Sequence, residues 1–136
     1  MYFCLKSVQF FDTSYYLCGM VRNILLVGLG GAAGAMLRYG ITLLFTFMHW
    51  STNIGTLLTN VIGSFIMGML VSTFEQSPML LFATVGLCGG FTTFSTFSMQ
   101  SVTLLQQGRY GSAALYITAS LICCLIGCFI GYKLKN

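Results

Sequence analysis

The chain has 136 residues, of which 57% are hydrophobic and only 6% are charged, and its formal net charge at pH 7 is +4. Soluble domains carry about 25% charged residues, so this composition excludes an ordinary soluble domain. The six cations form no basic stripe, and nucleic acid is therefore not an expected partner. We expect an all-α membrane protein whose surroundings are the lipid bilayer.

Residues 1–19 are too interrupted by polar groups to span a membrane, and they lack the clean apolar core of a signal peptide. The following Met20-Val21-Arg22 is typical of the start of a membrane protein. We therefore expect residues 1–19 to be an N-terminal extension and residues 20–136 to form one transmembrane domain.

About 20 apolar residues span a bilayer as a helix, and four segments reach that length. They are Asn23–Phe47, Asn53–Phe74, Pro78–Leu105 and Ser112–Tyr132. An even number of spans places both chain ends on one side of the membrane. That side carries Lys6, Arg22, Lys133 and Lys135, against Arg109 in the loop opposite. The positive-inside rule then predicts cytoplasmic ends.

The first span contains a glycine face and a cation. Gly30 and Gly34 form a G-x-x-x-G pair, as Gly127 and Gly131 do in the last span, and such pairs predict close helix packing. Arg38 lies mid-way through the span, where a cation costs at least ~2.5 kcal/mol. Either its side chain reaches the membrane interface, or it lines the approach of an anion. With no carboxylate in any span, its partner is expected to be an anion or backbone carbonyls.

Polar residues recur every fourth position in two spans, so each set shares one helical face. The sets are Thr56, Asn60 and Ser64 in the second span, and Tyr116, Ser120 and Cys124 in the last. A buried amide often only holds helices together, but an amide in line with two hydroxyls favours a polar track. Hydroxyls and an amide without a carboxylate suit a small anion better than a cation or proton.

The third span contains a stretch that disfavours a regular helix, Gly86–Phe97, with three glycines followed by alternating hydroxyls and phenyl rings. A helix that opens at bilayer depth frees backbone groups that protein, water or an ion must satisfy. Phe94 and Phe97 lie three residues apart, and the electropositive edges of their rings can contact an anion. The polar residues that continue the track here are Thr93, Ser95, Thr96 and Gln100.

Catalysis is not expected. Asp12 and Glu75 are the only carboxylates and both lie outside the spans, while His49 is alone in the first loop. The six cysteines form no C-x-x-C pair, so neither a zinc site nor a disulfide framework is predicted.

Three motifs, in order along the chain, are similar to the signature blocks of one family. They are Gly30-Gly31, Gly34-Ala35 and Arg38-Tyr39; then Gly55-Thr56-Leu57, Asn60 and Gly63-Ser64-Phe65; then Gly86, Gly89-Gly90 and Thr92-Thr93-Phe94-Ser95-Thr96-Phe97. Over residues 20–132 the chain resembles the Fluc/CrcB fluoride-channel family. The resemblance implies four spans, the third broken near its middle, in a dual-topology antiparallel homodimer in a bacterial-type plasma membrane. It also implies passive export of fluoride through two pores per dimer.

The resemblance also assigns roles to residues. The backbone carbonyls of Gly89 and Thr92 would hold a structural Na⁺. The fluoride pore would be lined by Asn60, Phe94, Phe97, Tyr116 and Ser120, with Arg38 at its approach. Two positions depart from the family pattern, because Gln100 stands where an acidic residue is common and Cys124 stands where a hydroxyl is expected. Two other functions suit a small four-span protein: a dual-topology multidrug exporter, which needs a membrane-embedded Glu, and a non-transporting membrane assembly subunit.

Overall fold

The computed structural model describes the backbone of residues 2–73 and 77–134, and side chains within these ranges from Tyr15 onward. Every regular element in the described part of the chain is helical. The elements are α1 Tyr2–Phe47, α2 Thr52–Thr73, α3 Pro78–Leu81, a π-helix Phe82–Cys88, α4 Gly89–Phe91, α5 Phe94–Gln106 and α6 Tyr110–Lys133. The all-α prediction is confirmed.

Four stretches are long and apolar enough to cross a membrane, namely Tyr15–Phe47, Thr52–Thr73, Pro78–Gln106 and Tyr110–Lys133. Their large apolar side chains point outward, as expected where lipid takes the place of water. The four predicted spans are confirmed, and the chain is a multi-pass membrane protein. The first is longer than expected, because α1 begins at Tyr2 and passes residue 20 without interruption. The division at residues 19 and 20 stays a prediction, and Phe74, the predicted end of the second span, lies outside the described residues.

The glycine faces pack as predicted. A Cβ on Gly30 would lie 2.5 Å from the carbonyl oxygen of Phe82, and a Cβ on Gly86 would lie 3.0 Å from the Cα of Gly30. On the other side of the molecule, a Cβ on Gly131 would lie 3.0 Å from the backbone nitrogen of Met69. The first span therefore packs main chain against main chain with the third, and the fourth packs likewise with the second.

The third span begins with a helix cap and is interrupted in its middle. Ser77 Oγ accepts a hydrogen bond from the backbone N–H of Leu80 at 3.1 Å, and Pro78 occupies the first turn. The helix then widens into the π-helix and ends at Thr92 and Thr93, whose extended backbone has ψ of 156° and 115°. Thr93 Oγ1 accepts from the N–H of Thr96 and so starts the next helix.

The predicted break is thus confirmed, and within the predicted stretch it lies after the glycines and not at them. Gly86, Gly89 and Gly90 are helical. Gly86 and Gly90 face the first span, where any larger side chain would collide with its backbone. The two threonines that follow them form the break itself.

Candidate ion pathway at the broken third span

A cavity of about 300 Å³ opens beside the break, between the second, third and fourth spans. Its lining combines hydroxyls, an amide, a thiol and phenyl rings. The lining residues are Asn60, Ser64, Thr92, Thr93, Phe94, Phe97, Ser120, Leu121, Cys124 and Leu125. Four of the five predicted pore residues are among them, and the fifth, Tyr116, contacts the ring of Phe97 from behind.

Asn60 binds the backbone of the break with both ends of its side-chain amide. Its Oδ1 accepts from the N–H of Thr93 at 2.7 Å, and its Nδ2 donates to the carbonyl of Thr93 at 3.1 Å. The amide oxygen replaces the helical acceptor that the Thr93 N–H has lost. The carbonyl of Thr93 already accepts the first bond of α5, so Nδ2 is a second donor to it, and one Nδ2 hydrogen is left for another acceptor. These contacts show that Asn60 positions the backbone of the break.

Hydroxyls form a short network at the start of α5. Thr93 Oγ1 donates to Thr96 Oγ1 at 3.0 Å and lies 3.2 Å from Ser95 Oγ. Because Thr93 is buried and Ser95 is exposed, the network connects the break to the outer face of the molecule. The predicted track residues Thr93, Ser95 and Thr96 are thus brought together.

Three aromatic rings are in contact in a row, and two of them, Phe94 and Phe97, line the cavity. The centroids of Phe94 and Phe97 are 5.5 Å apart, and Phe97 is also 5.5 Å from Tyr116. Phe97 is 8% exposed, whereas Phe94 is 74% exposed on this chain. The hydroxyl of Tyr116 donates to Gln100 Oε1 at 2.7 Å, so Gln100 holds the tyrosine and contacts the track through it.

Ser120 contributes a hydroxyl with no protein partner. The residue is 4% exposed, and its Oγ makes no hydrogen bond with the described residues. Such a buried hydroxyl costs free energy unless something binds it. Since Ser120 lies in the cavity wall, a hydrogen-bond acceptor in the cavity is its natural partner.

Two carbonyls at the break lack their helical donors. The donor for Gly89 would be the N–H of Thr93, which binds Asn60, and the donor for Thr92 would be the N–H of Thr96, which binds Thr93 Oγ1. Among the described residues neither carbonyl accepts another hydrogen bond. Free carbonyl oxygens are ligands for a hard cation, so these residues fit the predicted Na⁺. No group of three or more His, Cys, Asp or Glu side chains in the described ranges could hold a metal instead.

Arg38 lies at the same break, on the side of the first span. Its Nε donates to the carbonyl of Gly90 at 3.2 Å, and the side chain is partly buried. A backbone carbonyl is thus its partner, as expected in the absence of a carboxylate. The guanidinium keeps its full positive charge, because a carbonyl does not neutralise it, and this charge lies beside the break at bilayer depth.

A family model described as "CrcB-like protein, Camphor Resistance (CrcB)" matches residues 25–132. The chain belongs to the CrcB family. The resemblance read from the three motifs is confirmed.

Named relatives agree with this assignment and are matched over most of their lengths. The "Fluoride-specific ion channel FluC" of Campylobacter jejuni strain RM1221 is 44% identical over 118 residues, which cover 83% of this chain and 97% of the relative. "Fluoride-specific ion channel FluC 1" of Listeria innocua is 42% identical over 85% of this chain and 98% of its own. The "Fluoride-specific ion channel FluC" of Pseudomonas putida strain W619 is 41% identical over 76% of this chain and 88% of its own.

Some features of this CrcB-family site escaped sequence reasoning. The π-helix, the contact from Arg38 to Gly90 and the double contact of Asn60 with Thr93 were not predicted. The two contacts join residues 52 and 33 positions apart, and no local pattern encodes such partners. The available signal was the Thr-Thr pair itself, since a hydroxyl residue commonly caps a new helix.

Proposed function

We propose that this protein is a fluoride-selective channel of the plasma membrane that lets fluoride leave the cytoplasm passively and so reduces its toxicity. The observation that carries the proposal is the cavity at the break, which offers hydrogen-bond donors and ring edges and no carboxylate. Membership in the CrcB family and the names of the relatives support the same ion. Passive flow suffices, because fluoride enters from acidic surroundings as neutral HF and dissociates inside.

Each group of lining residues replaces part of the hydration shell of the ion. Ser120 offers its unpartnered hydroxyl and Asn60 offers its second N–H, and both donate hydrogen bonds to an anion. The edges of Phe94 and Phe97 add weaker positive contacts, and they repel cations. The positive charge of Arg38 lowers the energy of an anion near the break. A small, strongly accepting ion gains most from such donors.

We infer that the working unit is an antiparallel, dual-topology homodimer. Phe94 is 74% exposed although it lies beside a polar break, and Gly89 is exposed as well. A second copy that covers this face would give each Phe94 a protein environment. Outside residues 1–19 the bias toward cytoplasmic ends is small, with Arg22, Lys133 and Lys135 against Arg109, and a small bias is compatible with insertion in both orientations.

We also propose that a structural Na⁺ lies on the two-fold axis of this dimer. Two copies would contribute the carbonyls of Gly89 and Thr92, which makes four oxygens from groups that lack other partners. The ion would join the two breaks and neutralise the carbonyl dipoles at bilayer depth. It is not the transported ion.

The alternatives explain fewer of these features. A multidrug exporter coupled to protons needs an acidic residue within a span, and Asp12 and Glu75 both lie outside the four apolar spans. A non-transporting assembly subunit would need the glycine faces but not the break, the cavity or the buried free hydroxyl.

Ion efflux from proteoliposomes tests the function. Liposomes that contain the purified protein are loaded with potassium fluoride or potassium chloride, diluted, and opened to K⁺ with valinomycin. Ion-selective electrodes should record rapid fluoride efflux and chloride efflux no faster than from protein-free liposomes. Equal efflux of the two anions would refute fluoride selectivity, and efflux of neither would refute the channel.

A further inference from the structure

The five described cysteines differ in their surroundings, and one of them lies in the wall of the cavity. Cys124 lines the cavity, while Cys88 is 3% exposed in the protein interior. Cys123 is the neighbour of Cys124 in sequence but is exposed on the outer surface of the last span, where lipid lies. Consecutive residues of a helix point about 100° apart, so one thiol faces the cavity and the other faces outward.

The wall around Cys124 is built for a polar occupant. Ser120 precedes Cys124 by one helical turn, so both side chains lie on the same face of α6. The hydroxyl of Ser120 is buried, lies in the same wall and makes no hydrogen bond with the described residues, so a water molecule or an ion in the cavity would satisfy it. Ser64 and Asn60 line the opposite side and add further polar groups. The thiol of Cys124 therefore faces hydroxyls and an amide in the cavity as well as apolar side chains.

We propose that Cys124 is a modification site for water-soluble, thiol-reactive electrophiles, and that its modification stops the passage of anions. This inference rests on the proposed channel function for its second half only. In the first half, the thiolate sulfur attacks the sulfenyl sulfur of a thiosulfonate. A new S–S bond forms, the S–SO₂ bond breaks, a sulfinate leaves with the electron pair, and the thiol proton passes to water. The attached group then occupies a cavity of about 300 Å³ that the ion must cross.

The probe is sulfonatoethyl methanethiosulfonate, whose permanent negative charge excludes it from the hydrocarbon of the bilayer. Wild-type protein in liposomes is treated with the probe and digested, and the mass of each cysteine peptide is measured. The expected result is a mixed disulfide on Cys124 and an unmodified Cys123. An unmodified Cys124 would overturn the proposal, whether or not the protein conducts fluoride.

Fluoride efflux, measured before and after treatment, tests the second half. We expect the wild-type rate to fall by at least about tenfold, because the added sulfonate both fills the path and repels anions. Cys124→Ser and Cys124→Ala should keep their own untreated rates after treatment, and Cys123→Ser should be inhibited like the wild type. If Cys124 is labelled and fluoride efflux is unchanged, the proposal that its modification stops the passage of anions is wrong. A wild type that carries no fluoride before treatment would refute the channel function instead, and the labelling would still decide the site.

Discussion

Asn60 and Thr93 are joined by two hydrogen bonds, of 2.7 and 3.1 Å, in which a side-chain amide takes the place of a peptide group. The second span thereby satisfies a backbone N–H that the third span has left open at bilayer depth, and adds a donor to the N-cap carbonyl of α5. In hydrocarbon each such group costs several kcal/mol when it has no partner, so the break depends on Asn60 for its stability.

Replacement of Asn60 by Ala should destabilise the protein and reduce fluoride efflux together. The N–H of Thr93 loses its partner, which costs about 1–3 kcal/mol for a group left buried, while its carbonyl loses only a second donor. Thermal unfolding in detergent measures the first effect and proteoliposome efflux the second. Asn53→Ala is the matched control, since Asn53 is in the same helix but makes no contact with the break. Equal stability of the two variants would contradict the claim that Asn60 stabilises the break.

Phe94→Ile and Phe97→Ile should both lower fluoride efflux strongly, because each removes a ring edge and keeps an apolar group of similar bulk. They should differ in stability. Phe97 is 8% exposed and touches Phe94 and Tyr116, so its loss should lower the melting temperature, whereas the exposed Phe94 should have less effect. Phe129→Ile, on the outer surface of the last span, is the control that should leave efflux unchanged. Wild-type efflux in both variants would mean that the two rings only pack against their neighbours and do not contact the ion.

Gly30→Ala should destabilise the protein by about 1–3 kcal/mol, because the new Cβ would lie 2.5 Å from a main-chain oxygen that cannot turn away. Gly28→Ala, two residues earlier, meets nothing within 4 Å and should be neutral or more stable by up to about 1 kcal/mol, since Ala favours a helix over Gly. Melting temperatures of the two variants in the same detergent make the comparison. The same stability change in both would mean that the close approach of the first and third spans is absent.

Exchange of Na⁺ for the bulky cation N-methylglucamine during purification should weaken the dimer or lower the fluoride efflux, because the carbonyls of Gly89 and Thr92 would lose their ligand. Size-exclusion chromatography and efflux in the two salts measure this. Restoring Na⁺ should restore both properties. Unchanged behaviour in the organic cation would rule out a structural sodium ion.

The sequence alone was sufficient for the elements whose cause is local. Runs of apolar residues predicted four spans, and the glycines at four-residue spacing predicted where helices touch. The break was predicted only as a stretch, since Gly86 and Gly90 are poor helix formers in isolation and become helical through contact with the first span. The partners of Asn60 and Arg38 depend on how distant segments meet, and no spacing rule supplies that.

The side chain of Phe94 and the backbone at the glycine contacts differ in how freely they can move. Between the first and third spans, main chain touches main chain, so no rotamer change can alter how the backbone of the third span is held there. The ring of Phe94, 74% exposed on a single chain, has room to turn about its own side-chain bonds. Exposed side chains change rotamer within picoseconds to nanoseconds. On a single chain, the adjustable part of the break is therefore the side chain of Phe94, whereas the backbone that the first span holds is a fixed frame.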